Sequence, residues 1–302
     1  MMTNLRDDCE AILITGPTAS GKSALAMQLA RKHRGVVINA DSMQVYDTLR
    51  VLTARPSEEE MGGIDHRLYG HVPARNAYST GDWLRDVEQL LPVLRQEGRL
   101  PVFVGGTGLY FKALTGGLSE MPAIPADIRD RWRSRLVAEG AEPLHAALAE
   151  VDPVMARRLR PSDGQRIVRA LEVMEASGRS IGELQEHKGP MLIDPQRAEK
   201  IIVLPDRRLL HERINRRFGL MLDGGAIAEV TALRQLDLPP AAPVLRAIGV
   251  AEIGAMLTGN MERKTVIERG SALTRQYAKR QMTWFRNQMD DSWVRLDPFG
   301  GN

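Results

Sequence analysis

The chain has 302 residues, 43% of them apolar and 26% charged, with a net charge of +3. This composition excludes disordered and collagen-like chains, and no stretch approaches the ~18 apolar residues of a membrane span. A lone Cys9 excludes an internal disulfide and a thiolate-rich metal site, and no apolar signal-peptide core follows Arg6, Asp7, Asp8 and Glu10, so a cytoplasmic location is expected.

In chain order, Ala11, Ile12, Leu13 and Ile14 predict a short buried strand, followed by the Gly-rich run 16–23. Residues 23–32 place Leu25, Ala26, Leu29 and Ala30 on one helical face. A second strand is expected at 36–38, ending in Asn39-Ala40-Asp41, and a third at 101–104, ending in Gly105-Gly106-Thr107-Gly108. Between them, 82–95 has helical spacing through Trp83, Val87, Leu90, Leu91 and Leu94. Strands alternating with helices predict an α/β fold, a P-loop NTPase-like doubly wound parallel sheet.

The character changes at 118. Residues 127–139, 143–151, 154–159, 165–176 and 181–187 all read as helices with no strand among them. This predicts an all-helical insertion domain at 118–197, inside a core formed by 1–117 and 198–302. The strand pattern returns at 200–204, then helices at 207–218, 226–236 and 244–257. A long helix at 265–287 carries Val266, Gly270, Leu273, Tyr277 and Trp284 on its apolar side, and a short run at 293–296 ends the pattern.

Gly16, Gly21, Lys22 and Ser23 occupy all four fixed positions of a phosphate-binding loop. Glycines let backbone N–H groups converge on phosphate oxygens, Lys22 adds charge, Ser23 can ligate Mg²⁺, and the helix N-terminus favours anions. No strand ends in the acidic pair of a helicase-type ATPase, and no Arg-rich lid of a nucleotide kinase is evident. The small residues of 105–108 permit close approach of a ligand or, equally, form a tight strand-to-helix turn. Asp41 falls at the carboxyl end of a strand, where open α/β sheets bind ligands, and can act as base or metal ligand or close an Asx turn.

The cations number 34 Arg and 7 Lys, and Arg suits bidentate phosphate recognition. Arg166 and Arg169 share a helical face, and Arg275, Lys279 and Arg286 line one side of the final helix; each set can be a solvated polar face, and together they favour a basic groove for RNA. The histidines lack metal spacing. On the residues alone three readings stay open: a transferase to RNA, a prenyltransferase or kinase acting on free adenine nucleotides, and a nucleic-acid-binding P-loop NTPase.

Six ordered blocks narrow these. They are residues 16–23 (Gly-Pro-Thr-Ala-Ser-Gly-Lys-Ser), 41–46 (Asp-Ser-Met-Gln-Val-Tyr), 104–110 (Val-Gly-Gly-Thr-Gly-Leu-Tyr), 165–172 (Gln-Arg-Ile-Val-Arg-Ala-Leu-Glu), 246–249 (Arg-Ala-Ile-Gly) and 274–281 (Thr-Arg-Gln-Tyr-Ala-Lys-Arg-Gln). With them the chain resembles the tRNA dimethylallyltransferases, also called tRNA isopentenyltransferases or IPP transferases. The resemblance implies transfer of a dimethylallyl group from its diphosphate to N6 of adenosine 37, just 3′ of the anticodon, in tRNAs reading codons that begin with U. It implies Mg²⁺ as cofactor, and the tRNA anticodon stem-loop and dimethylallyl diphosphate as partners of a monomer.

The same resemblance makes Asp41 the general base and Thr107 a hydroxyl beside the reacting adenine. Gly16, Pro17, Thr18, Ala19, Ser20, Gly21, Lys22, Ser23 and Arg217 would hold the diphosphate, with Ser23 on the metal. Asp41, Ser42, Met43, Gln44, Thr107, Arg129, Gln165, Arg166, Ile167, Val168 and Arg169 would contact tRNA. The chain departs from the family pattern at Arg55, where Lys is usual, at Arg67, where His is usual, at Val250, where Tyr is usual, and across 47–52.

Overall fold

A computed structural model describes residues 5–299 of the chain. It forms two compact units, the first from Met1–Thr115 and Leu192–Asn302 so far as these are described, the second from Gly116–Met191.

In the first unit six strands form one all-parallel sheet: β1 (Ala11–Thr15), β2 (Gly35–Asn39), β3 (His66–Arg67), β4 (Leu100–Gly105), β5 (Ala198–Val203) and β6 (Val294–Leu296), in the order β3-β2-β4-β1-β5-β6. Parallel neighbours need crossovers, and helices supply them. α1 (Lys22–Lys32) follows β1, α2 (Glu58–Met61) precedes β3, α3 (Thr80–Gln96) precedes β4 and α4 (Gly108–Gly116) follows it.

Alternation along the strands divides the core into two layers. Leu13, Val36, Ile38, Phe103 and Ile202 face one way, against Trp83, Val87 and Leu91 of α3 and Phe111 of α4. Ile12, Ile14, Val37, Val102, Val104, Ile201 and Val203 face the other, against Ala26, Leu29 and Ala30 of α1. Side chains successive in a strand point to opposite faces, so continuous apolar runs mark strands covered on both sides.

The second unit contains α5 (Ala126–Glu139), α6 (Ala141–Val151), α7 (Pro153–Arg158), α8 (Gly164–Ser177) and α9 (Ile181–Glu186) around a core that includes Leu144, Leu148, Ile167, Val168 and Leu171. Its second boundary falls at 191/192, earlier than the expected 197/198. Leu192 and Ile193 donate backbone hydrogen bonds to Leu114 O, and Ile193 is buried in the sheet's core.

After β5 come α10 (Arg207–Met221), α11 (Ile227–Gln235), α12 (Val250–Leu257) and the long α13 (Arg263–Gln288). Three expectations need correction. A π-helical turn, Leu222–Ala226, joins α10 to α11, where separate helices were expected. The single helix expected at 244–257 is broken: a 3₁₀ turn at Pro243–Arg246 ends in extended Ala247, and Gly249 takes φ 101° before α12 begins. The buried face of α13 runs through Val266, Gly270, Ser271, Thr274, Ala278, Gln281 and Phe285, leaving Leu273, Tyr277 and Trp284 only partly covered.

Glycine is required where β4 ends. A Cβ on Gly105 would lie 2.0 Å from both C and O of Ala40. Gly105→Ala is expected to destabilise the protein by about 3 kcal/mol, the upper range for overpacking against a backbone that cannot yield. A thermal melt showing an unchanged midpoint would contradict this packing. Among the described residues no helix is long and apolar enough to cross a membrane.

Candidate active site

The turn after β2 is built on Asn39, which is fully buried. Its Oδ1 accepts the Asp41 N–H at 2.9 Å, while Nδ2 donates to the carbonyls of Asp41 and Leu68, each at 3.0 Å. Asp41 Oδ1 then accepts the Met43 N–H at 3.0 Å, closing an Asx turn. The other carboxylate oxygen lies on the Gly106 side, and Asp41 lines two cavities of this unit. One oxygen builds the turn, so the second remains for chemistry. Thr107 is tied to the same turn: its N–H donates to Ala40 O, and its Oγ1 accepts the Ser42 N–H at 3.0 Å and donates to Ser42 Oγ at 3.2 Å.

The Gly-rich loop connects β1 to α1, with Gly21 at φ 93° and Ala19 held at φ 66°, the left-handed region that an alanine rarely adopts. Lys22 Nζ donates to Pro17 O at 3.2 Å. Burial pushes its ammonium down to about 8, with Asp41 opposing that shift and Arg217 adding to it. Arg217 donates to Thr18 Oγ1. Burial, aided by Arg213, lowers its guanidinium to about 10 against the pull of Asp41, so it stays cationic at neutral pH. Arg213 Nε donates to Ala19 O at 3.0 Å.

A cavity of about 630 Å³ is lined by Thr18 to Ser23 together with Arg213, Arg216, Arg217 and Asp41. Its arginines come from successive turns of α10, and sequence reasoning found only Arg217. The repeated basic pairs at 207–208 and 216–217 were the available signal. A smaller cavity, about 270 Å³, adjoins through Thr18, Asp41, Thr53 and Arg217. Met43, Leu52, Ile214, Phe218, Met221 and Ile248 give it apolar walls, and Arg246 and Arg280 line it as well. Among the described residues Asp41 is the only carboxylate on its lining. Tyr277 also lines it, its hydroxyl held in the protonated form first by burial and then by the charge of Asp41.

Gly106 and Gly108 prove to be packing positions for α13. A Cβ on Gly106 would lie 2.2 Å from Gln281 Nε2, and one on Gly108 would lie 2.2 Å from the Trp284 indole. The close approach expected of a ligand at this turn is made there by the protein's own side chains. Gln44, expected to contact tRNA, donates through Nε2 to Thr53 O and Ala54 O at 2.9 and 3.0 Å. It ties down the wall that carries Leu52, while Ser42 and Met43 line the smaller cavity.

Arg129 and 165–169 belong to the second unit. Ile167 and Val168 are buried in its core, which leaves only their backbone to meet RNA. The helical period turns them inward while Gln165 and Arg166 stay exposed and Arg169 half-buried. Arg169 and Arg133 flank the buried Glu172 at 3.4 and 3.6 Å, and Arg166 lies 3.5 Å from Asp163. Arg129 donates to Ile124 O at 3.3 Å.

Loop, parallel sheet and cavities at the carboxyl ends of β1 and β2 define a protein of the P-loop NTPase-like α/β class. The family model for IPP transferase matches residues 44–288, and that for isopentenyl transferase matches 9–72. The tRNA dimethylallyltransferase of Agrobacterium fabrum is 67% identical over 99% of this chain and 100% of its own length. That of Rhizobium johnstonii is 68% identical over 98% and 99%. Among solved structures, the full-length tRNA isopentenylpyrophosphate transferase of Bacillus halodurans superposes with TM-score 0.67 at 32% identity, over 95% of this chain and 90% of that one. A eukaryotic dimethylallyltransferase acting on tRNA superposes with TM-score 0.81 at 28% identity, over 96% and 74%. The chain belongs to the IPP transferase family.

Proposed function

We infer that this chain is a tRNA dimethylallyltransferase, a monomer of the cytoplasm that moves the dimethylallyl group of dimethylallyl diphosphate to N6 of adenosine 37 in tRNAs reading codons that begin with U. The observation that carries the chemistry is the position of Asp41, the carboxylate shared by the apolar cavity and the cavity of the Gly-rich loop. Full-length relatives named for this activity support the acceptor over a free nucleotide, and support a transferase over an NTPase switch.

The adenine amino group is a weak nucleophile because its lone pair is delocalised into the ring. As N6 bonds to C1 of the prenyl group, the C1–O bond to diphosphate breaks and the N6 proton passes to the free oxygen of Asp41. Thr107 holds the Asp41 turn through Ser42, and the family resemblance would set its hydroxyl beside the acceptor. The departing diphosphate gains about one negative charge, which Lys22, Arg217 and the loop amides stabilise from fixed positions. The apolar walls of the smaller cavity suit a branched five-carbon tail.

Mg²⁺ fits this donor set. Among the described residues no cluster of three acidic, His or Cys side chains is available, so the protein would hold the ion through Ser23 with the diphosphate oxygens and water completing the shell, as Mg²⁺ prefers. When bound it neutralises charge on the leaving group. Gln165, Arg166, Arg169 and Arg129 would contact the anticodon stem-loop backbone.

The test is to mix protein, unmodified tRNA, dimethylallyl diphosphate and Mg²⁺ and look by mass spectrometry for one dimethylallyl group on the base beside the anticodon. No mass gain, or transfer to AMP in preference to tRNA, overturns the reading. Arg166→Ala with Arg169→Ala is expected to weaken tRNA binding and to reduce the slope of log K against log salt by roughly 1–2. An unchanged slope in filter binding would remove α8 from the RNA surface.

A further inference from the structure

Beyond β1 and β4 the two chains diverge, one into the Gly-rich loop and the other into the turn that carries Thr107. The strands pair as far as Thr15 opposite Gly105, where Thr15 Oγ1 also donates to Gly105 O at 3.0 Å. Past that point the gap is filled from α13. Gln281, only 5% exposed, accepts the Thr18 N–H through Oε1 at 2.9 Å and donates through Nε2 to Gly106 O at 2.9 Å. One side-chain amide thus takes the place of a peptide group between two separating strands, and Gly106 leaves room for it.

This bridge lies within a longer chain of contacts. Arg217 donates to Thr18 Oγ1, Thr18 N–H reaches Gln281, and Gln281 reaches Gly106 O. The next residue, Thr107, bonds Ala40 and Ser42 on either side of Asp41. The Thr18 amide is therefore spent on Gln281 and is not among the N–H groups offered to a phosphate.

We propose that Gln281 is a positioning residue that fixes the distance between the diphosphate loop and the Asp41 turn, so that leaving group and general base are held in register. The proposal rests on the transferase reading above. Gln281 touches neither reacting atom; it acts by holding both loops from behind.

Gln281→Leu removes both bonds at similar size. The expected result is a fall in kcat of about 10²-fold, the cost of misplacing reacting groups by about an ångström, with KM for each substrate within a few-fold of wild type. Gln281→Glu gives a sharper signature. A neutral carboxylic acid has one acceptor and one O–H donor, as the amide does, whereas the carboxylate cannot donate to Gly106 O and burial raises its pKa. The ratio of Gln281→Glu rate to wild-type rate should therefore climb as pH falls, while the Gln281→Leu ratio stays flat. A wild-type kcat in folded Gln281→Leu, or a flat ratio for Gln281→Glu, overturns the proposal.

Hydrogen exchange with inorganic diphosphate decides the matter independently of activity. In the wild type, diphosphate should slow exchange at 16–23 and also at 41–44; in Gln281→Leu only 16–23 should respond. Slowing confined to 16–23 in the wild type, or the same two-site response in Gln281→Leu, refutes the coupling. A wild-type protein that transfers nothing to tRNA would sink the transferase reading instead, and the exchange experiment would still stand.

Discussion

Asp41→Asn is expected to slow single-turnover transfer by about 10²–10⁴-fold, the range that a positioned base contributes. The substitution is informative because it leaves the turn standing. An Asn side-chain oxygen can accept the Met43 N–H as Asp41 Oδ1 does, and Asn39 holds residue 41 through its backbone groups. The melting temperature should therefore change little, and loss of rate would report the free carboxylate oxygen alone. A second effect checks the assignment. Asp41 is the charge that opposes the lowering of Lys22, so the variant's Lys22 should lose its proton at lower pH than in the wild type. Rapid-quench transfer within a few-fold of wild type would refute the base assignment.

Lys22→Met is expected to reduce kcat/KM for dimethylallyl diphosphate by about 10²–10³-fold, comparable to removing one preorganised donor from a developing anion. Lys22 has a pH dependence of its own. Its ammonium titrates near 8 in the free protein, and a bound diphosphate must raise that value by attraction. Below 8 the group is protonated whether or not ligand is bound, and Lys22 adds no pH dependence in this window. Above 8 binding must take up a proton, and affinity should fall by up to about tenfold per pH unit. Calorimetry with inorganic diphosphate across this range tests the sign directly. The alkaline fall should be steeper in the wild type than in Lys22→Met, and equal slopes in the two proteins would contradict it.

Much of the architecture was legible in the sequence because it follows periodicity. Unbroken apolar runs flanked by turns marked β1, β2, β4 and β5, and the stripe through Trp83, Val87 and Leu91 marked α3. β3 was not legible, since its two residues, His66 and Arg67, carry no pattern and pair only because β2 offers a free edge. α4 was hidden behind its glycines, which read as a turn but admit Trp284 against Gly108. The break at 247–249 was masked because Val244, Ala247, Ile248 and Val250 keep an apolar rhythm through it.

In the site, Asp41 and Lys22 stood out as charges at a strand end and in a motif, while Arg217, inside a helix, came only with the family resemblance. Gln281 did not, because a glutamine on a helix ordinarily faces water. Nothing in its spacing tells that both its amide groups are used against backbone. Ile167 and Val168 were carried with their neighbours as a block, and their position on α8 turns their side chains into the core.

The strand order also bears on how the protein is made. By the time β4 leaves the ribosome, β1 is paired on one side only, and its other neighbour, β5, is still to come. Between them lie the helices of the second unit, whose synthesis takes roughly 5–20 s at the usual ~5–20 residues per second. For that interval the nascent chain exposes an apolar strand edge beside the Gly-rich loop, the kind of template that recruits unwanted partners. Arg217 and Gln281 emerge later still, so the site assembles only near the end of translation. A chain stalled inside the insertion would present the loop without its guanidinium, its amide bridge or the last two of its six strands.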